Sequence, residues 1–276
     1  MATVTYLRNV RFNNPALPKI WPFAIDSYVS EGLVFAVQPQ HNITSMLDLS
    51  GNGTTFTPLG TDISFTNQGV MTRGGLGMFV TNRLETEEWT GILVYRMYKI
   101  GPSWQIPASL LLSCYHSSGT GGTAGYVAGE EDETDSLALH KMQSAVNSVS
   151  TPGALSNHVA IPTEEVPRFA HNAPTSAWVF FAAGVGNSSP KCWYVVRNQN
   201  MNARMDQDYY NPQGRLDLYS PHPWGIGGPG GSQSGFSSMR AEIACVALWD
   251  RSLSVNELQR QYEMTQAFCM DRGILI

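Results

Sequence analysis

The chain is short of charge. Only 14% of its 276 residues are Asp, Glu, Lys or Arg, against about a quarter in a typical soluble domain. Its exposed surface must therefore be built from Ser, Thr, Asn, Gln and Gly, which argues against a helical bundle, whose outer faces carry Lys and Glu. The 17 basic residues do not balance the 22 acidic ones, leaving a net charge of −5. A phosphate backbone is not the expected partner of such a chain, and no nucleic-acid binding is expected. No run approaches the roughly 18 apolar residues of a membrane helix, so no membrane insertion is expected. Cysteine is scarce as well. Cys114, Cys192, Cys245 and Cys269 are widely spaced, with no C-x-x-C pair for zinc or redox chemistry. Cys192 and Cys245 lie in apolar runs and read as buried free thiols. Disulfide status stays open. No two of the six histidines sit four residues apart, and neither H-E-x-x-H nor G-x-S-x-G occurs.

What is present is a succession of short apolar runs punctuated by turn residues. GLVFAV from Gly32 is the first, followed by the turn cluster LDLSGNG. TTFT, GVMT and GMFV follow closely, and GILVYRMY from Gly91 is longer and rich in β-branched and aromatic residues. SLLLSCY around Leu111 and AWVFFAAGV from Ala177 read as buried strands, with CWYVVRN from Cys192 as a hairpin return. Residues 1–30, with Pro15, Pro18 and Pro22, read as an extended arm, and residues 31–276 as one domain. Between Ser117 and Pro167 the texture turns Gly-rich, acidic and Pro-containing, which predicts long loops.

The C-terminal segment is the most explicit. AEIACVALW from Ala241 predicts a strand apolar on both faces apart from Glu242, hence covered on both sides. Ser254 and Glu257 form an S-x-x-E capping box, with Leu253 and Leu258 placed as a hydrophobic staple. A helix is predicted to start at Val255, its buried stripe comprising Val255, Leu258, Tyr262 and Cys269.

Two of these segments, Asp48-Leu-Ser-Gly-Asn-Gly53 and Ala241 through Tyr262, together resemble the laminin-G-like members of the concanavalin A-like lectin/glucanase superfamily. The AWVFFAAGV–CWYVV pair resembles that family's Trp-led strand pair, and WGIGGPGG its Ile-Gly-Gly strand. The likeness covers roughly residues 30–266. It implies an all-β, concanavalin A-like jelly-roll sandwich of two antiparallel sheets with a short C-terminal helix, which the density of short strands also suggests. It implies no single function, because the fold hosts lectins, glycosidases, adhesion modules and structural domains.

Candidate chemistry is sparse. The acidic run Glu130, Glu131, Asp132, Glu133, Asp135 has the carboxylates a glycosidase needs. It sits among glycines without interleaved apolar residues, however, and reads as a solvated loop. No catalytic residue is assigned, and Ca²⁺ is the only cofactor that such a run admits. Asp48, Ser50 and Asn52 offer oxygens too, but Asp and Asn beside glycines read as a turn. The strongest candidates for a ligand surface are aromatics in polar, turn-rich segments: Trp104 in GPSWQIP, Asp206, Asp208, Tyr209 and Tyr210 in DQDYYNPQG, and His222 and Trp224 in SPHPWG. Aromatic faces stack on sugar CH groups while carboxylates bond hydroxyls. The alternative is that these rings pack loops onto the sandwich.

The N-terminus, MATVTYLRNVRF, lacks the pattern of a secretory signal. Cell-surface glycan binding by a chain made without an export signal fits a virion protein, released by lysis. The leading expectation is thus a non-catalytic, tail-fibre-like bacteriophage adhesin, a homo-oligomer and by analogy a trimer. The alternatives are a polysaccharide-degrading enzyme and a structural or decorating virion protein without a glycan ligand.

Overall fold

The computed structural model describes residues 28–73, 76–99, 108–114, 126–131, 138–145, 154–155, 178–186, 192–198, 201–207, 223–228 and 239–276. Among them the elements in chain order are β1 (Leu33–Val37), β2 (Phe56–Gly60), β3 (Ser64–Phe65), β4 (Val70–Arg73), β5 (Gly77–Thr81), β6 (Trp89–Lys99) and β7 (Ala108–Ser113). They continue with β8 (Tyr126–Glu131), β9 (Ala138–Ala145), β10 (Ala154–Leu155), β11 (Val179–Val185), β12 (Cys192–Asn198), β13 (Met201–Gln207), β14 (Gly225–Ile226) and β15 (Met239–Trp249). One helix, α1 (Val255–Asp271), closes the chain.

The strands hydrogen-bond in the order β10-β9-β8-β7-β14-β5-β4-β15-β6-β11-β12-β13, with β1 on β15, β2 on β5 and β3 on β4. On a flat sheet, β14 and β6 would be four strand spacings apart, about 19 Å. Yet Trp224, just before β14, meets Trp89 of β6 edge to face at 5.2 Å between ring centroids. The path must fold over on itself. Gly91 of β6 lies so close to Leu112 of β7 that an added Cβ would sit 2.7 Å from the leucine Cδ2. The result is an all-β jelly-roll sandwich with its interior between the two layers.

The fold-over is centred on β15. Its first half, Arg240–Ile243, pairs with β4, and its second half, Val246–Trp249, pairs with β1. An irregularity between Ile243 and Cys245 separates the halves, while β6 pairs along the whole strand. Such bulges bend a strand and increase its twist. Ala241, Ile243, Val246 and Leu248 face the sandwich interior with Phe35, Phe79, Leu93 and Phe181. Ala244, Cys245, Ala247 and Trp249 face the other way, into a second core beneath α1. Both faces of the strand are therefore buried, as its apolar sequence predicts.

Helix α1 begins as its capping box dictates. The Ser254 hydroxyl accepts the Glu257 N–H at 3.3 Å, and the Glu257 carboxylate accepts the Ser254 N–H at 2.8 Å. Leu253 and Leu258 are both buried, as a staple requires. The predicted stripe needs one correction: Val255 is 63% exposed. The face against the sheet is carried by Leu258, Gln261, Thr265, Phe268 and Cys269. After the helix, Gly273 adopts φ +68°, and the chain turns back to bury Ile274 and Ile276. Arg272 is half-buried there, donating to the carbonyls of Pro39 at 3.0 Å and Gln38 at 3.2 Å. Burial holds its guanidinium down to about 10.

Two expectations change. The region from Ser117 to Pro167 is not only loop, because β8, β9 and β10 lie in it and extend one end of the path. Tyr126–Glu131 and Ala138–Gln143 pair there in unbroken antiparallel register, whatever their composition. Tyr28, assigned to the arm, belongs to the core beneath α1, with its hydroxyl 3.5 Å from the Cys245 sulfur. Val29 follows it, its carbonyl accepting the Trp249 indole N–H at 2.8 Å, and residues 1–27 lie outside the described residues. Cys114, Cys245 and Cys269 are free and buried. No helix among the described residues is long and apolar enough to cross a membrane.

Candidate functional site

The Asp48 cluster serves the chain itself. Asp48 Oδ1 accepts from the Ser50 N–H at 2.9 Å and the Ala36 N–H at 3.3 Å, and Oδ2 accepts from the Thr54 N–H at 2.9 Å. Asn52 donates to the Leu33 carbonyl, and Gly51 and Gly53 take φ of +77° and +73°. Its side-chain oxygens are committed to pinning a tight turn onto β1, as Asp and Asn in turns do.

Of the predicted ligand residues, Trp104, Asp208, Tyr209, Tyr210 and His222 lie outside the described residues. Trp224 is described, and it is not on a surface. It is 1% exposed, packed on Trp89, and its backbone bonds Thr81 and Arg83. A sandwich this thin needs large rings to fill the gap between its layers, and that demand claims Trp224.

Asp206 lies exposed on β13. On β13 the described side chains Asn202, Arg204 and Asp206 are all exposed, a row produced by the two-residue period of a strand. Arg204 Nε donates to both Asp206 oxygens, at 2.8 and 3.1 Å. The Arg204 guanidinium also covers the Trp193 ring, 5.4 Å from its centroid. Trp193 stands opposite Asp206 on β12 and is itself 4% exposed, its indole N–H donating to Ser252 Oγ at 3.1 Å. The ring lies flat because Gly184 on β11, opposite it, has no side chain: a Cβ there would come within 2.5 Å of Trp193. Next along, Arg197 donates to Gln259 of α1 at 2.6 Å and covers the Tyr262 ring. The row is thus a polar shelf beside the helix, offering a carboxylate and a guanidinium on a fixed aromatic base. It leads directly into residues 208–210.

A second polar group went unnoticed in the sequence. Arg73 on β4 and Arg240 on β15 are direct cross-strand partners, an arrangement that like charges disfavour. Asp62 relieves it by accepting from Arg73 at 3.3 Å and from Arg240 at 2.7 Å. Burial pushes the Asp62 carboxyl up, but the hydrogen bonds and charges of Arg240 and Arg73 outweigh it and hold the group below its ordinary value. Two residues along β15, Glu242 is paired with Arg96 at 2.6 Å and accepts from Thr66 at 2.5 Å. Arg96 lies 4.6 Å over the Trp178 ring. Residues 73 and 240 meet through strand pairing and Asp62 reaches them from the turn between β2 and β3, so no local spacing announces the group.

The acidic run also reads differently in three dimensions. Glu130 and Glu131 end β8, opposite Leu139 and Ala138 of β9, rather than lying in a loop. Asp132, Glu133 and Asp135 lie outside the described residues. Among the described residues, no three His, Cys, Asp or Glu gather as a metal site would require.

No family model matches the chain, and no curated protein matches it. Solved structures do. The binding domain of botulinum neurotoxin serotype C1 superposes with a TM-score of 0.56 at 10% identity, covering 86% of this chain and 53% of that one. The binding domain of botulinum neurotoxin DC in complex with SialylT gives 0.55 at 8% identity over 86% and 52%. Trypanosoma rangeli sialidase gives 0.52 at 11% identity over 86% and 33%. The likeness is one of fold. The chain spans about half the length of the neurotoxin domains and a third of the sialidase.

Proposed function

We propose that this chain is a non-catalytic glycan-binding module that uses the β13 shelf and the segment after it. The observation that carries the reading is the exposed Arg204–Asp206 pair on the Trp193 base, leading into Asp208, Tyr209 and Tyr210. Carboxylate and guanidinium bond sugar hydroxyls, and aromatic rings supply the stacking surface. Support comes from the company of the fold: binding domains with SialylT bound, and others described as depending on two ganglioside molecules for cell entry. In its finer form, the reading makes the chain a laminin-G-like, tail-fibre-like adhesin of a bacteriophage virion. Its scarcity of charge suits display of a neutral polar surface to cells. A trimer would convert weak single-site binding into avidity of about 10²–10⁴ over one site.

A glycan array and whole-cell binding test this. Saturable binding is expected, reduced at least about tenfold by Asp206→Ala and by Tyr210→Ala in proteins with unchanged melting temperature. Failure to bind any glycan or cell would end the reading. Light scattering tests the finer form, since a monomer is incompatible with a fibre.

A further inference from the structure

The group around Asp62 has a chemistry that turn-making does not require. We propose that Arg240, oriented by Asp62 and flanked by Arg73, is a second subsite that recognises the anionic substituent of a carboxylated or sulfated sugar. The proposal rests on the glycan-binding reading of the chain and names the class of glycan.

Four observations converge. The three side chains Asp62, Arg73 and Arg240 sum to one positive charge, on a chain whose net charge is −5. Arg240 has 42% of its side chain exposed and reaches Asp62 through Nη2. A guanidinium has five N–H donors, and among the described residues the bond that orients Arg240 is the one from Nη2 to Asp62. That is the state in which an arginine takes a carboxylate or sulfate bidentately with little ordering cost. The support is rigid: Arg240 and Arg73 stand in paired strands, and Asp62 is fixed by its N–H to the Leu76 carbonyl at 3.0 Å. Gly77 packs directly against the Asp62 backbone, where an added Cβ would fall 2.1 Å from the carbonyl oxygen. Finally, the ladder row across β4, β15 and β6 reads Arg73, Arg240, Tyr98, placing an aromatic residue at the next register position.

A purely structural group behaves differently on one substitution. If Asp62 only relieves repulsion between two arginines, its neutralisation weakens the protein and gains nothing. If Arg240 binds anions, Asp62 competes with the ligand, and Asp62→Asn strengthens anion binding.

The experiment measures binding of the full chain to polyacrylamide conjugates of lactose, sialyllactose and sulfated lactose at low salt. The two acidic conjugates are expected to bind at least about tenfold more tightly than lactose. Arg240→Gln should bring that ratio to about one while leaving lactose binding unchanged, and Asp62→Asn should raise it further. The carboxylated and sulfated arms show which anion is preferred. Equal binding of acidic and neutral conjugates, or an unchanged ratio in Arg240→Gln, overturns the inference while the glycan-binding reading stands. Loss of all sugar binding, lactose included, defeats both. Should Asp62→Asn not fold, the half-exposed Arg240→Gln decides alone.

Discussion

The shelf depends on a missing side chain, and Gly184→Ala tests that dependence. The added methyl would lie 2.5 Å from Trp193 Cζ2, 2.6 Å from Cε2 and 2.8 Å from Nε1. Carbon atoms pack at about 3.5–4.0 Å, so the indole must retreat by about 1 Å. It has little room, being 4% exposed, bonded to Ser252 at 3.1 Å and covered by Arg204. Overpacking of this kind costs about 1–3 kcal/mol. Losing the indole bond adds about 1 kcal/mol, for a total of about 2–4 kcal/mol. At about 2–4 °C per kcal/mol for a domain of this size, the melting temperature should fall by about 5–15 °C. Guanidinium unfolding followed by tryptophan fluorescence and far-UV circular dichroism measures it. The decisive control is a double-mutant cycle with Trp193→Val, which removes the ring the methyl strikes. In that background Gly184→Ala should cost less than about 0.5 kcal/mol, a coupling of about 2 kcal/mol. A loss that persists undiminished without the ring would refute the steric account. So would a Gly184→Ala protein as stable as the parent.

Other consequences are simpler to state. Trp224→Ala should destabilise by about 3–5 kcal/mol in denaturant titration, as befits a large ring emptied from the core; a stable variant defective only in ligand binding would return Trp224 to the surface. Ser254→Ala should cost about 1 kcal/mol by removing the α1 cap, read as an equal shift in unfolding free energy. The hydrogen bond from Arg251, with the Ser254 cap, draws Glu257 from 4.5 down to about 2. Its folded value lies below its unfolded one, so its contribution is complete above about pH 4.5 and disappears as pH falls towards 2. Between pH 5 and 2 the parent should lose about 1 kcal/mol more than Glu257→Gln, since the pair is partly exposed; equal acid sensitivity would contradict the assignment. In a Cys192→Ser protein the remaining thiols should resist Ellman's reagent until denaturant is added. All three are buried, and burial raises Cys245 to about 11.

How much was legible in the residues follows from how local each interaction is. The α1 start was fully legible, because a capping box closes within three residues and needs no contact from elsewhere in the chain. The face of the helix was less so. Val255 fits an apolar stripe by spacing, but it is left out of the core that takes in Leu253 and Leu258 and stays in water. Among the strands, β1, β6, β11, β12 and β15 announced themselves through β-branched and aromatic runs. By contrast, β8 and β9 are held by pairing to each other and to β7, and their Gly-rich, charged neighbourhood concealed them. For the candidate site, Asp206 was singled out because it stands beside other polar and aromatic residues, whereas the Arg73–Arg240–Asp62 group could not be. Its members are brought together by a register that only the folded sheet sets.

The sequence by itself determined a strand-rich chain with a capped C-terminal helix, a turn pinned by Asp48, and a final strand buried on both faces. These follow from periodicity and from hydrogen bonds closed within a few residues. The tertiary structure alone decided which tryptophans fill the core and which arginines meet. Sheet closure brings β14 over β6, and Trp224 buried against Trp89 fills space that this closure creates. Packing between layers is a property of distant segments in contact, and no window along the chain contains it.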